Sequence, residues 1–331
     1  MDRTIQLRNW LAGIFGHDSF ALASASDDAS FRRYFRVTVE GRPSMIAMDA
    51  PPDKEDCRTF VSVARLFAKA GVHVPEILAE NPGEGFLLLS DLGDTTYLQA
   101  LNETGADTLY GDALTALVRI QGATRPGVLP DYDDALLERE LRLFPDWYVA
   151  RQLRFELSGI QKEQLETGFS ALLSGIRSQP RVYVHRDYHS RNLMVCAPNP
   201  GVLDFQDAVH GPITYDLASL LRDAYIGWEE ERVIDWSIRY WEKARLANLP
   251  VQRDFADFYR DFEWMGAQRQ LKVLGIFARL RFRDGKDRYL RDQPLVMRYL
   301  RGACARYREL GSLSRLLDDL EPHAATAGYT F

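Results

Sequence analysis

Three spacings stand out between Val182 and Leu221, in VYVHRDYHSRNLMVCAPNPGVLDFQDAVHGPITYDLASLL. His185-x-Asp187 opens a polar loop, Asn192 follows five residues after Asp187, and Asp204 comes twelve after Asn192 at the end of an apolar run. Phosphoryl transfer from a magnesium nucleotide needs this set. A carboxylate must orient or deprotonate the attacking hydroxyl, and oxygen ligands must hold the metal against the phosphates. Asp187 fits the first role; Asn192 and Asp204 fit the second. The alternative is a solvated turn that merely collects polar residues.

The elements around these residues decide whether they can meet. RVYV, NLMV and VLDF read as short strands, and the CAPNPG turn between the latter two carries two prolines and a glycine, a hairpin signal. Such a hairpin would return Asp204 to the rim that holds Asp187 and Asn192. Upstream, SFRRYFRVTVEGRPSMIAMDAP alternates apolar and polar residues on both sides of Gly41-Arg42-Pro43, as a hairpin does. DKEDCRTFVSVARLFAKAGV has apolar residues at helical spacing and Gly71 near its end. GFLLLSDLG reads as a short apolar strand. Beyond Gly93 the periodicity is helical almost throughout. The expected fold class is α+β, with an N-terminal β-rich lobe over residues 1–92 and a larger, mainly helical lobe over 93–331.

The loop HRDYHSRN matches the kinase pattern H-R-D-x-x-x-x-N at every specified position, and LDFQD stands where protein kinases have D-F-G. The chain therefore resembles the protein-kinase-like phosphotransferases, which implies the two-lobed kinase-like fold with ATP and Mg2+ as cofactors. Only eleven residues separate Asp204 from Asp216, too few for a peptide-binding activation segment. GPITYDLASLL instead resembles the G-D-P-x-x-D-L-A block of aminoglycoside and choline phosphotransferases, with Gly211 where the family has Asp. The resemblance makes Asp216 a brace for the catalytic loop, with His185 as structural support, and makes the acceptor a small molecule.

On the nucleotide side, ASASDDASFRRYFRV corresponds to the phosphate-covering hairpin but has no glycine, so Ser26 and Ser30 would shape its turn. Family members place a lysine on the third strand; here SMIAMDAP offers Met48. Arg32, Arg33 or Lys54 must then supply the cation that meets the phosphates. FLLLSDLG resembles the interlobe hinge, with adenine read by backbone near Ser90 and Leu92, and Asp91 either there or capping the next helix.

For the acceptor, ERELRLFPDWYVARQL gathers Arg142, Asp146, Trp147, Tyr148 and Arg151 beside Pro145. Aromatic faces flanked by carboxylates suit a sugar; an amphipathic helix with a half-buried aromatic would read the same way. Asp207 adds a further carboxylate beside Asp204, and His210 reads as a hydrogen-bonded loop residue. SFRRYFRV, MDAPPDKED, LERELRLFPDWYVARQL, HRDYHSRNLM and LDFQDAVHGPITYDLASLLRDAY together resemble a bacterial group of aminoglycoside-phosphotransferase-like proteins. That group includes anomeric N-acetylmuramate/N-acetylglucosamine kinases of peptidoglycan recycling. The resemblance implies phosphorylation of the C1 hydroxyl of an amino sugar, a uridylyltransferase downstream by pathway, and Arg151 or Arg154 on the lactyl carboxylate of muramate. An aminoglycoside phosphotransferase and a nucleotide-binding module without turnover are the competing readings.

Composition narrows the rest. The 331 residues are 46% hydrophobic and 27% charged with a net charge of -6, and no long basic block suits a nucleic-acid partner. Three cysteines, Cys57, Cys196 and Cys304, lack metal-binding spacing and fit a reducing compartment. The first twenty residues read as an amphipathic helix rather than a signal peptide, and no apolar run approaches the roughly 20 residues of a membrane span. A cytoplasmic protein without membrane contact is expected.

Overall fold

The computed structural model describes residues 2–26 and 31–326. The chain forms two compact units: residues 1–97 with 193–207, and residues 98–192 with 208–331.

The first unit opens with α1 (Arg3–Phe15), capped by Asp2, whose carboxylate accepts from Thr4 N at 2.9 Å, and closed by Gly16 at φ 76°. Leu7, Leu11 and Phe15 recur at helical spacing and bury one face of it. Five antiparallel strands follow, β1 (Ala21–Ser26), β2 (Arg33–Thr38), β3 (Met45–Asp49), β4 (Ile77–Asn81) and β5 (Phe86–Ser90), in the order β1-β2-β3-β5-β4. The sheet core joins Val37, Ala47, Phe86 and Leu88 to the buried face of α1. Helix α2 (Cys57–Lys69) starts at Asp56, whose carboxylate accepts from Arg58 N at 3.0 Å. A hairpin of Leu193–Met194 against Gly201–Val202 completes this unit. Val202 N donates to the His73 carbonyl at 2.8 Å and Val195 N to that of Thr95 at 2.9 Å. Phe205 then packs on Phe60 and Phe67, with centroids 4.8 and 5.9 Å away.

The second unit is helical: α3 (Tyr97–Ala100), α4 (Ala106–Gly122), α5 (Asp134–Leu143), α6 (Gly159–Arg177), α7 (Tyr215–Leu221), α8 (Glu230–Leu246), α9 (Phe255–Asp284), α10 (Gln293–Arg306) and α11 (Gly311–Thr326). Two strands, Arg181–Val184 and Val209–Pro212, pair antiparallel within it. His210 therefore lies on a strand rather than in a loop, with Nδ1 at 3.1 Å from Asp131 Oδ1. Residues 144–152, the aromatic and arginine segment expected to be α-helical, form a π-helix beginning at Phe144-Pro145. Pro145 has no amide hydrogen to give to the preceding turn, so the α-helical ladder breaks at that point. At 30 residues α9 is the long axis of the unit, buried along most of its middle from Phe262 to Gly275. Gly275 lets α5 approach it: a Cβ there would lie 2.4 Å from the Leu143 carbonyl carbon. No helix among the described residues is long and apolar enough to cross a membrane, and all three cysteines are free thiols.

Candidate active site

The catalytic loop leaves the buried strand Arg181–Val184 at His185, which has no solvent exposure. Arg186 adopts φ 78°, a left-handed conformation that costs a non-glycine residue energy unless its surroundings fix it. The fixing group is Asp216 in the first turn of α7. Its carboxylate accepts from His185 N at 2.6 Å and Arg186 N at 3.0 Å. Burial pushes the Asp216 carboxyl up to about 7, an effect the two N–H bonds oppose and the nearby Asp187 charge adds to. His185 Nδ1 accepts from Asp187 N at 3.3 Å, and Asn192 Nδ2 donates to the Asp187 carbonyl at 2.9 Å. Ser190 N donates to Asp223 at 2.9 Å and Tyr188 Oη to the Ala113 carbonyl at 2.8 Å. The loop is thus fastened by six hydrogen bonds to α4, α7, the turn after α7 and itself.

Asp187 is partly exposed. Desolvation opposes its ionisation, but the charges of Lys272, His189, Arg269 and Arg186 outweigh this and hold the carboxyl below its ordinary value. It stands ionised at neutral pH, able to accept a hydrogen bond from a hydroxyl and then its proton. Behind it lies a buried ion network. Glu140 of α5, 4% exposed, takes Arg186 at 2.6 Å and Lys272 Nζ at 2.9 Å. The Tyr132 hydroxyl donates to the same carboxylate, and Lys272 donates to Tyr215 Oη at 2.8 Å. Burial disfavours both charges, yet their mutual attraction keeps Glu140 below and Lys272 above their ordinary values. Sequence reading missed Glu140, Lys272, Arg269 and Asp223. The available signal was charge inside QRQLKVLGIF, on a helix otherwise apolar enough to be central.

Several of the residues expected to meet metal and nucleotide cluster within the first unit. Asp204 ends its strand at φ 60°, takes Gln206 Nε2 at 3.0 Å, and faces Arg32 Nη2 at 3.5 Å. The Arg32 side chain is 9% exposed; burial opposes its charge, and Tyr34, Asp204, Glu55 and Asp207 raise it. Asp207 belongs with this group, its carboxylate taking Gln206 Nε2 at 3.3 Å. Arg33 is turned instead to Asp49, which is fully buried and also held by Arg3 at 2.8 Å. Met48, standing where family members usually have a lysine, is fully buried between Tyr34 and Leu87 in the sheet. Lys54 lies beside Asp53 on an exposed turn. Ser30 falls outside the described residues, and Ser26 ends β1 opposite Tyr34.

At the end of β5, Ser90 N donates to the Glu76 carbonyl at 2.9 Å and Ser90 Oγ accepts from Glu76 N at 2.8 Å. Leu92 is buried, close over Gly201. Asp91 caps no helix: it takes Arg36 at 2.7 and 3.1 Å and Gly93 N at 3.0 Å, fixing the turn that follows β5. Asp146 and Arg151 are exposed on the π-helix and Trp147 is half-buried. That helix packs along α9, whose Gly275 lies one turn beyond Lys272.

Taken singly, two of these residue types suit a divalent metal. Asn192 donates a hydrogen bond from its amide nitrogen to the Asp187 carbonyl, and Asp204 is a carboxylate; an amide oxygen and a carboxylate are each of the ligand type a hard cation takes. Among the described residues no three His, Cys, Asp or Glu side chains make a ready metal cage. Phosphate oxygens and water ordinarily supply the other ligands of such a metal.

Residues 22–252 match the phosphotransferase enzyme family. The chain belongs to that family. Two relatives named N-acetylmuramate/N-acetylglucosamine kinase are similar over nearly their whole length. The one from Neisseria meningitidis serogroup B is 49% identical over 336 residues, spanning 100% of both chains. The one from Pseudomonas aeruginosa is 55% identical over 306 residues, 92% of this chain and 90% of the relative. A choline/ethanolamine kinase family protein from Mesorhizobium loti superposes with a TM-score of 0.66 at 14% identity, covering 95% of this chain and 99% of that one. ADP-bound aminoglycoside phosphotransferase APH(2'')-Ib gives 0.59 at 16%, covering 91% and 97%. These two establish the kinase-like fold. Membership of the phosphotransferase family implies ATP as donor, with a divalent metal.

Proposed function

We propose that the protein is a cytoplasmic kinase that transfers the γ-phosphoryl group of ATP to the anomeric C1 hydroxyl of N-acetylmuramate or N-acetylglucosamine. The observation that carries this is the 49% identity, end to end, with a kinase of that name. The fastened loop that presents an ionised Asp187 supports it chemically. In this reading Asp187 orients the C1 hydroxyl and takes its proton as the oxygen bonds to phosphorus and the bond to ADP breaks. Arg32 replaces the usual third-strand lysine on the phosphates, with Ser26 and Ser30 in the covering hairpin and adenine against the backbone near Ser90 and Leu92. Asn192 and Asp204 hold Mg2+, which, when bound, offsets phosphate charge. Asp146, Trp147 and Arg151 receive the sugar, and Asp207 flanks the metal ligand. The sugar 1-phosphate is then a substrate for a uridylyltransferase.

The test is phosphorus NMR on wild type and Asp187→Asn with Mg-ATP and each sugar. Wild type should yield an anomeric phosphate coupled to the sugar H1. The variant should bind Mg-ATP unchanged while turning over about 10²- to 10⁴-fold more slowly. Phosphate on another hydroxyl would refute the regiochemistry, and unchanged turnover would remove Asp187 from its role.

A further inference from the structure

The turn between α7 and α8 runs beneath a polar cavity of about 320 Å³ that no residue of the catalytic reading occupies. At one end of this turn Asp223 accepts Ser190 N of the catalytic loop, and it also accepts Tyr225 N at 3.0 Å. In its middle is Gly227. A Cβ built there would lie 3.2 Å from Arg298 Nη2 and 3.2 Å from Tyr299 Oη, so two donors from α10 converge on one point above a residue without a side chain.

Both donors lack an acceptor. The Tyr299 hydroxyl is buried with no hydrogen-bond partner, although Tyr299 as a whole is only 9% exposed. Leaving such a group unsatisfied is costly unless a ligand or water meets it. Arg298 is exposed and forms no ion pair with any described carboxylate. Of the three acids that line the cavity, Glu230 and Glu263 are already matched, and Glu229 stands exposed at its rim. Glu230 takes Arg222 at 2.8 Å, Tyr259 Oη at 2.6 Å and Arg306 at 3.3 Å. Glu263 takes Tyr307 Oη at 2.6 Å and an ion pair with Arg306. At the Gly227 cradle itself the charged group is the Arg298 cation, 3.2 Å from the built Cβ.

We propose that the cavity over Gly227 is a binding site for the carboxylate of a small hydroxylated acid, with Arg298 Nη2 and Tyr299 Oη as its paired donors. A guanidinium and a phenol offer only hydrogens there, and a carboxylate offers two oxygens. Trp228 and Glu229 at the rim give the rest of such a molecule an aromatic face and an acceptor for its hydroxyls. The acid has two sources: the acid arm of the phosphoryl acceptor, which rests on the proposed function, or a separate small acid.

The test is titration calorimetry on the full chain with D-lactate, N-acetylmuramate and N-acetylglucosamine, paired with steady-state kinetics for both sugars. Arg298→Gln, Tyr299→Phe and Gly227→Ala are compared with wild type. Gly227 does not sit in the left-handed region, so alanine fills the cradle without backbone strain. Losing a charged hydrogen bond should weaken acid binding about ten- to a hundredfold in Arg298→Gln, with N-acetylglucosamine unaffected. If the KM for N-acetylmuramate rises in parallel, the cradle reads the acid arm of the acceptor. If only D-lactate affinity falls while both KM values hold, it serves a separate acid. Acid affinities that match wild type in all three folded variants, or no acid binding to wild type, overturn the site. Failure of wild type to phosphorylate either sugar would instead defeat the kinase reading and leave the lactate result standing.

Discussion

At the residue scale the arginine pair shows what a linear pattern can and cannot decide. Arg32 and Arg33 are adjacent, and both were candidates for the phosphate cation. Neighbours along an extended chain point to opposite sides, so one of them had to face away. The pairing of Arg33 with Asp49 across β2 and β3 settles which, and leaves Arg32 at 3.5 Å from Asp204. Nothing in the sequence gives that register. Arg32→Gln should raise the KM for ATP about tenfold or more with an unchanged thermal midpoint. Arg33→Gln should leave the KM for ATP alone. It should lower stability by about 1 kcal/mol, a modest loss because Arg33 is 45% exposed and Arg3 still holds Asp49. Kinetics and calorimetry on the two variants separate the roles. The fastening of the loop, by contrast, was legible, because His185, Asp187, Asn192 and Asp216 lie within 32 residues of one another and in fixed order.

At the element scale the sequence under-reads α9. Glu263, Arg269 and Lys272 look like the solvated side of an amphipathic helix, yet they are 4%, 6% and 7% exposed. The partners of Lys272 and Glu263, which are Glu140 on α5, Tyr215 on α7 and Arg306 on α10, are distant in sequence, so no period announces the pairing. The segment 144–152 was read as α-helix for a similar reason: its pattern is helical, and only the proline hinted that the ladder would open into a π-helix. Close approach of α9 to α5 needs Gly275. Gly275→Ala should destabilise the fold by about 1–3 kcal/mol, since the atoms it meets are backbone and cannot swing aside. Gly266→Ala on the same helix has no neighbour nearer than 3.5 Å and should be neutral or gain up to about 1 kcal/mol. Denaturant unfolding of the two variants checks the contrast.

At the scale of the whole molecule, ion pairs join helices that are far apart in the chain, and this makes stability pH-dependent. Glu230 at the start of α8 binds Arg222 after α7, Tyr259 on α9 and Arg306 on α10. Burial raises its carboxyl, but these donors overcome that and set it at about 2, below the ordinary 4.5. A carboxyl depressed by folding stabilises above its unfolded value and loses that contribution as pH falls through the folded one. Unfolding free energy should therefore drop between about pH 4.5 and about 2, and the drop should be shallower in Glu230→Gln. Chemical unfolding at stepped pH measures it. Asp216 works in the other direction: its carboxyl is raised, so its ionisation costs stability as pH climbs from 3.8 through about 7.

The hairpin that brings Asp204 into the first unit also fixes an order of events at the ribosome. Residues 1–97 emerge first, but Phe60, Phe67, His73 and Leu92 wait for Val202, Phe205 and Gly201 from a segment ending at Asp207, about 110 residues later. At the usual pace of synthesis that is roughly 5 to 20 s during which the apolar face of α2 around Phe60 and Phe67 stands uncovered. The cluster of Arg32, Asp204 and Asp207 is thus complete only after residues 185–192 have been translated. A nascent polypeptide halted before residue 193 would present an unfinished core to chaperones.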